Sequence, residues 1–583
     1  MESVRDDSKL HLSVEETKRD DAYSLVFKLS EDDPLIGEKK RLLSLNGNES
    51  ERRLYISRSD SEPSQWAKDT IQEALLFARI IHLDKTELYF GSVDVPLEYY
   101  SPKNELESLN SILSQIDNLI SSSAHKIIDS LQKLRDATVD MIRDFGDKNS
   151  EDARFEKFNC GPEELLLEWG KKHGARTTLQ IAHVEGAGRG LIASEDLKVG
   201  VSALEIPESM IISEELVYDT DMFHVLEKDN RISTETILLL WSMKERYNYN
   251  SKFKIYFETL PEAFNTGLSF GIDALAALEG TLLLDEIVQA KEFLRNQYDD
   301  LFPIIFNIHR DIFPPELYTW EQFLWACELW YSNGMKVIFT DGKLRTCLVP
   351  LAGLFNHSLC PHILHYGKVD SATKSLKFSL SRPCRQGEQC YLTYGNFSSS
   401  HLLTFYGFLP NGDNLYDIID LDIGDDQNAD DSRDHYFSMH STHMVRGTCL
   451  STNHDLFYYG LPYPLLDHLR VTINDDKMRP KAFKCFYNEM EVLNMINSIF
   501  SEMMDKLGGP EDIDRESLNW DLKLALQFKD LQRRIISSVL DSCSTGLELL
   551  NNQLNSLTQS ERAKERNQSD GLEACGPTPE LEN

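Results

Sequence analysis

Apolar and polar positions change texture along the chain. Residues 1–60 mix charges and serines with little periodicity. They are predicted to be largely disordered, because such a composition cannot offset the entropy of ordering. From Trp66 the pattern turns helical. Leu106, Leu109, Leu113, Ile116 and Ile120 follow spacings of three and four, and Ile127, Leu131 and Leu134 continue the stripe. This predicts amphipathic helices over 61–150, packed on their own chain or in a coiled coil with a partner. From Arg176 to Ile212, short apolar runs broken by glycine (TTLQIAHVEGAGRGLIASEDLKVGVSALEIPESMII) predict strands and tight turns. Helical periodicity returns over about 213–335, clearest in ETILLLWSMKERY and IDALAALEGTLLLDEIVQAKEFLRNQY. Strand-like segments resume at VIFT, LRTCLVPL, LKFSLS and EQCYLTYG. The expectation is an α+β chain in which a helical insertion splits a β unit whose halves meet in space. An acidic linker over 411–434, a helical region over 435–561 and a flexible tail over 562–583 complete it.

A length of 583 residues predicts three or four units. The formal charge is −35, from 95 acidic against 60 basic side chains. That excess argues against direct attraction to a nucleic-acid backbone and for a basic protein partner. The opening MESVRDDSKLHLSVEETKRD resembles neither a secretory signal nor a transit peptide. No run approaches the ~18 apolar residues that span a bilayer. An intracellular protein with no membrane partner is therefore expected, its ten cysteines mostly reduced.

Three local patterns suggest chemistry their surroundings do not support. Gly267–Gly271 satisfies G-x-S-x-G, but EAFNT before it supplies no strand for a nucleophile elbow. Cys360, His362, His365, Cys384 and Cys390 offer metal-ligating atoms at a spacing matching no usual zinc pattern. They are expected to be buried thiols and loop histidines, with no metal. GAGRG follows a strand as a dinucleotide fingerprint does, yet another strand follows where a phosphate-binding helix should begin. Its glycines would either let backbone approach a ligand or form a hairpin turn.

LVPLAGLFNHS ends an apolar run on Asn356, His357 and Ser358, and each must find a partner, since an unpaired buried polar group costs about 1 to 3 kcal/mol. In order, the glycine-rich hairpin, the helical insertion, NHS, GEQCYLTYG and FYGF resemble the SET-domain protein methyltransferases. KFKIYFETLPEAF and LEGTLLL are similar to the insertion of the branch containing Rubisco large-subunit lysine methyltransferase and actin-histidine methyltransferase. HMVRGTCLS with the terminal helices resembles that branch's substrate-binding domain. The resemblance runs from about Leu165 to Leu557 and leaves residues 1–150 outside.

The resemblance implies a split SET β-fold over 165–410, an all-α C-terminal substrate-binding domain over 435–561, and a helical N-terminal extension. It implies transfer of a methyl group from S-adenosyl-L-methionine to a side-chain nitrogen of a protein, lysine before histidine. The acidic excess suits a lysine-rich substrate. A non-catalytic protein-binding scaffold is the alternative. By resemblance Ala187, Gly188, Arg189, Gly190, Ser332, Asn333, Asn356, His357 and Tyr394 bind the cofactor. Tyr394 is the catalytic tyrosine, whose bland alternative is a satisfied core tyrosine, and Tyr406 and Phe408 wall the substrate channel. The expected compartment is cytoplasm or nucleus, with a plastid the lesser alternative because relatives occur there. Three departures bear on the pocket: Gly353 where relatives often carry Asp, Asn333 where they often carry Arg, and Ser398-Ser399-Ser400-His401-Leu402-Leu403 for Ser-Asn-x-Glu-Leu-Leu.

Overall fold

The structure is a computed structural model describing residues 23–56, 63–91, 100–122, 127–149, 155–157, 161–229, 232–423, 442–473, 481–509 and 514–572. Contacts divide the chain into two units, one of residues 1–270 and 286–414, the other of 271–285 and 415–583. Among the described residues no helix is long and apolar enough to cross a membrane.

The first unit begins with a correction. Within 1–60, strands Tyr23–Lys28 and Glu51–Ile56 pair antiparallel around helix Ile36–Leu45. The first 22 residues lie outside the description. Leu25, Phe27, Leu54 and Ile56 alternate inward against the following helices, so this segment gains from its neighbours the burial its composition lacks. Helices Pro63–His82, Pro102–Ser122 and Ile128–Lys148 form a bundle. Leu106, Leu109, Leu113, Ile116, Leu131 and Leu134 fill its core, so the stripe packs on its own chain. Cys360 and Leu364, from far along the sequence, complete that core.

The two strand-rich stretches pair directly. Ser202–Pro207, before the insertion, runs antiparallel to Ser375–Ser379, after it, in a four-stranded sheet with Arg176–Thr177 and Val369–Asp370. Phe155–Lys157, Leu179–Val184 and Gly188–Ala193 form a second antiparallel sheet, and Asn356–His357 lies parallel to Tyr391–Leu392. The insertion's final helix, Trp320–Asn333, starts at the Thr319 cap and buries Phe323, Ala326, Cys327 and Trp330. It leads into the Gly334–Ile338 and Leu344–Leu348 hairpin.

In the second unit Lys481–Leu507 and Trp520–Leu572 pack through Val492, Leu493, Phe500, Val539 and Cys543. Two expectations change here. Strands Ile419–Asp422 and Thr442–Val445 pair antiparallel, so the region is not all-α, and residues 419–422 of the supposed linker are strand. Residues 424–441, holding the rest of the acidic stretch, lie outside the description. The terminal helix runs to Leu572 and takes in the first eleven residues of the expected tail. A third difference concerns IDALAALEGTLLL, which is not one helix. Ile272–Ala277 ends before Gly280, at φ +84, and a second helix starts at Leu282. A side chain at Gly280 would also meet the Lys506 carbonyl, so both dihedral and space demand glycine.

Candidate active site

Gly188–Ala193 returns from Leu179–Val184 through a turn closed by the Ala187 amide on the Val184 carbonyl, 3.1 Å. Gly186 and Gly188 have φ of +77 and +71, and a Cβ on either would meet nothing within 4 Å. Turn geometry, not crowding, selects these two. Ala187 and Gly188 are exposed. Arg189 folds back, its guanidinium 3.4 Å from the Glu163 carboxylate and bonded to the Thr259 carbonyl. Gly190 differs from the other two: a Cβ there would stand 2.7 Å from Gln389 Nε2, 2.9 Å from Val184 and 3.0 Å from Asn356 Nδ2.

That approach brings the NHS triplet to the hairpin. Asn356 Nδ2 donates to the Arg189 carbonyl at 3.1 Å, and Asn356 and His357 stand in register with Tyr391 and Leu392. His357 Nδ1 accepts from the Tyr394 amide at 3.1 Å. Ser358 Oγ accepts from the Cys360 amide at 3.0 Å. One atom is left over. His357 Nε2 is buried without a hydrogen-bond partner among the described residues. Since Nδ1 accepts, Nε2 must carry the proton in the neutral ring. Burial first, and then the charge of Lys103, hold the imidazole down to about 4. Gln389, beside Gly190, likewise has both side-chain polar atoms buried and unpartnered among the described residues.

Tyr394 follows the strand paired to Asn356. Its hydroxyl donates to the Phe355 carbonyl at 2.8 Å. Its ring stacks on Tyr406 at 4.9 Å and 23°, meets His357 at 5.2 Å, and lies nearly perpendicular to Phe408 at 6.3 Å. Burial, reinforced by Tyr406 and Tyr366, raises the Tyr394 phenol above its usual range, and burial pushes Tyr406 up to about 12. Both are neutral phenols. Tyr366, which the sequence did not single out, sends its hydroxyl to the Thr393 carbonyl at 2.8 Å, just before Tyr394.

Ser332 and Asn333 end the Trp320–Asn333 helix. Ser332 Oγ donates to the Glu328 carbonyl at 2.7 Å and receives Asn333 Nδ2 at 2.8 Å. Asn333 Oδ1 lies 2.7 Å from where a Cβ at Gly353 would stand. Leu351, two residues earlier, has φ +71 and ψ −44, a conformation costing about 1 to 3 kcal/mol in a branched residue. The departure at 398–403 also has a local account. Ser398 Oγ accepts the His401 amide at 3.2 Å, capping helix Ser399–Tyr406, and His401 stacks on Phe397 at 4.1 Å.

Of the three patterns whose surroundings do not support their chemistry, the two outside the hairpin resolve differently. Gly267–Ser269 is a short 3₁₀ turn, and Ser269 donates to the buried Glu328 carboxylate at 2.6 Å, where it satisfies a carboxylate that burial raises. Of the five cysteine and histidine candidates, His362, Cys384 and Cys390 converge, with ligand atoms within 4.8 Å of one another. Both ring nitrogens of His362 are engaged, Nε2 with Glu388 at 3.0 Å and Nδ1 with the Tyr391 amide at 3.1 Å.

No family model matches the chain. Curated relatives do. The chain is 27% identical over 253 residues to the [fructose-bisphosphate aldolase]-lysine N-methyltransferase of Arabidopsis thaliana, covering 42% of this chain and 51% of the relative. It is 27% identical over 322 residues to the ribulose-1,5 bisphosphate carboxylase/oxygenase large subunit N-methyltransferase of Pisum sativum, 53% and 63% covered. It is 24% identical over 265 residues to the actin-histidine N-methyltransferase of Canis lupus familiaris, 44% of each. The chain spans about half the length of the curated relatives it matches. A solved structure of the SET domain of LSMT bound to lysine and AdoHcy aligns with a TM-score of 0.48 at 20% identity, over 72% of this chain and 97% of that one. The relatives are Rubisco-type and actin-histidine methyltransferases, the branch the ordered motifs resemble.

Proposed function

We propose that the chain is an S-adenosyl-L-methionine-dependent methyltransferase acting on a side-chain nitrogen of a protein, with lysine the acceptor. The observation that carries this reading is a convergence: Gly190, the adjacent pair Asn356 and His357, and Tyr394 come from three separate stretches of the sequence and are joined by direct contacts. Curated relatives named as lysine and histidine N-methyltransferases support it. So do the His357 Nε2–H and the Gln389 amide, unpartnered among the described residues, buried polar groups that a polar ligand would satisfy. These features fit the cofactor.

The backbone turn over 187–190, Asn356 and His357 would hold the cofactor, with Ser332 and Asn333 nearer the end of the insertion. Bound there, S-adenosyl-L-methionine supplies a methyl group on a positive sulfur, open to in-line attack by a nitrogen. Tyr394 cannot act as a base, because its phenol stays neutral. Its hydroxyl donates a hydrogen bond to the Phe355 carbonyl, which leaves its oxygen lone pairs to face a positively polarised methyl. Tyr394, Tyr406 and Phe408 form an aromatic group suited to walling a channel. Desolvation in such a channel lowers a lysine's pKa and favours the nucleophilic amine. Holding the acceptor in near-attack geometry is worth about 7 to 11 kcal/mol. The acidic excess of the chain suits a lysine-rich protein substrate and no direct nucleic-acid contact.

Calorimetric titration with S-adenosyl-L-methionine tests the reading. Binding is expected, and its absence at millimolar cofactor sinks the proposal in favour of a non-catalytic scaffold, the reading that the missing carboxylate at Gly353 favours. Tyr394→Phe should then lower methyl transfer by about 10²-fold with little change in cofactor affinity, and unchanged turnover would remove Tyr394 from the mechanism. Radiolabelled product recovered as methylhistidine rather than methyllysine would overturn the choice of acceptor.

A further inference from the structure

The helices over 63–149 are outside the resemblance, yet they meet the rest of their unit at the segment that carries Tyr394. Lys103 Nζ donates to Asn396 Oδ1 at 3.0 Å, and Asn396 Nδ2 donates to Asp84 Oδ2 at 2.5 Å. A lysine can only donate and an ionised carboxylate only accept, so the orientation of the Asn396 amide follows from its partners. Asp84 is itself held. It caps helix Lys85–Phe90 through Oδ1, which takes the Glu87 amide at 2.8 Å, while the Asp84 amide donates to the Glu87 carboxylate at 2.9 Å. Between Tyr394 and Asn396 lies only Gly395, at φ +138. A glycine there restrains the chain little, so the grip on Asn396 adds to the bonds Tyr394 itself makes to His357 and the Phe355 carbonyl in setting the place of the tyrosine.

The same helices also grip segments next to the paired strands. Cys360 and Leu364, just beyond Asn356–His357, are buried in the helical core. Asn110 Nδ2 donates to the Ser381 carbonyl at 2.9 Å, and Arg385 pairs with Asp147 at 2.6 Å. Arg382 packs on Gly146, where a Cβ would lie 3.1 Å from its side chain, and reaches the Cys360 carbonyl at 3.1 Å.

We propose that the N-terminal helices are a positioning element of the transfer site, acting through Lys103 and Asp84 on Asn396 to set the place of Tyr394. The inference rests on the proposed function for its meaning but can be read without a substrate. In the full-length chain, Lys103→Met should raise amide hydrogen exchange over residues 391–398 by about tenfold and leave the melting temperature nearly unchanged. Lys103→Arg should restore protection, because it keeps the charge and a donor for Asn396. Asn396→Asp, which keeps the contact with Lys103 and sets a second carboxylate against Asp84, should raise exchange in the same segment. Unchanged local exchange in both Lys103→Met and Asn396→Asp overturns the inference. So does a loss of protection spread over the whole chain, which would assign these contacts to general stability. If the wild-type chain shows no affinity for S-adenosyl-L-methionine, the functional reading fails while the exchange result still decides the coupling.

Discussion

Asn333 occupies the space that a side chain at Gly353 would need, its amide oxygen 2.7 Å from the missing Cβ. The sequence shows two separate departures from the pattern it resembles, and the fold makes them one site: a short amide against a glycine. Gly353→Ala should cost about 1 to 3 kcal/mol by overpacking. Asn333→Ala should relieve that cost, giving a coupling of about 0.5 to 3 kcal/mol in a double-mutant cycle. Additive denaturation free energies would show that the two positions do not share this space.

Gly190 is where the hairpin, Gln389 and Asn356 crowd together. Gly190→Ala should displace the Asn356 amide from the Arg189 carbonyl, since the new Cβ would stand 3.0 Å from Nδ2 and 2.7 Å from Gln389. Cofactor affinity should fall by about tenfold or more, the loss of one well-made hydrogen bond. Gly188→Ala, where space is open but φ is +71, should instead lower stability with a smaller effect on affinity. Calorimetry and thermal melts on the pair separate the two outcomes, and equal losses of affinity would contradict the distinction.

His357 gives the fold an acid-sensitive point. Its folded pKa is held down to about 4 against an ordinary 6.5. Below pH 6.5 the unfolded chain therefore takes up a proton that the folded chain refuses. Stability should fall as pH drops from 6.5 towards 4, at up to about 1.4 kcal/mol per pH unit from this group, and level off below. Urea denaturation of His357→Asn across that window should show a shallower slope than the wild type, and parallel slopes would place the acid sensitivity elsewhere.

Glu87 acts in the opposite direction. Burial, followed by the Asp84 charge, raises its carboxyl to about 7 from 4.5. The folded state keeps a proton that the unfolded state loses, so stability is present below pH 4.5 and is lost as pH rises through 7. Glu87→Gln cannot ionise, and its amide oxygen can still accept from the Asp84 backbone. The variant should match the wild type near pH 4 and exceed it above pH 7 by on the order of 1 to 3 kcal/mol. A pH-independent difference in melting would refute this.

Periodicity made the helical core at Leu106–Leu134 and the split of the strands by an insertion legible, because burial on one face writes a period into the sequence. The triplet at 356–358 was legible as an unsatisfied polar group and, with GAGRG and LTYG, as one resemblance. The hairpin over 23–56 was not, since its apolar positions are few and gain value only against helices that follow. Nor was the break at Gly280, set by the backbone of Lys506, more than two hundred residues away. Thus the sequence alone determined most of the element types between residues 61 and 410, the order of the motifs and the acidic balance, all properties of local spacing and composition. The tertiary structure decided that Asn333 answers Gly353, that the Tyr394 hydroxyl donates to the Phe355 carbonyl, and that Lys103 and Asp84 share Asn396. Those pairings depend on which distant segments the packed core brings within hydrogen-bond reach, and no local pattern carries that distance.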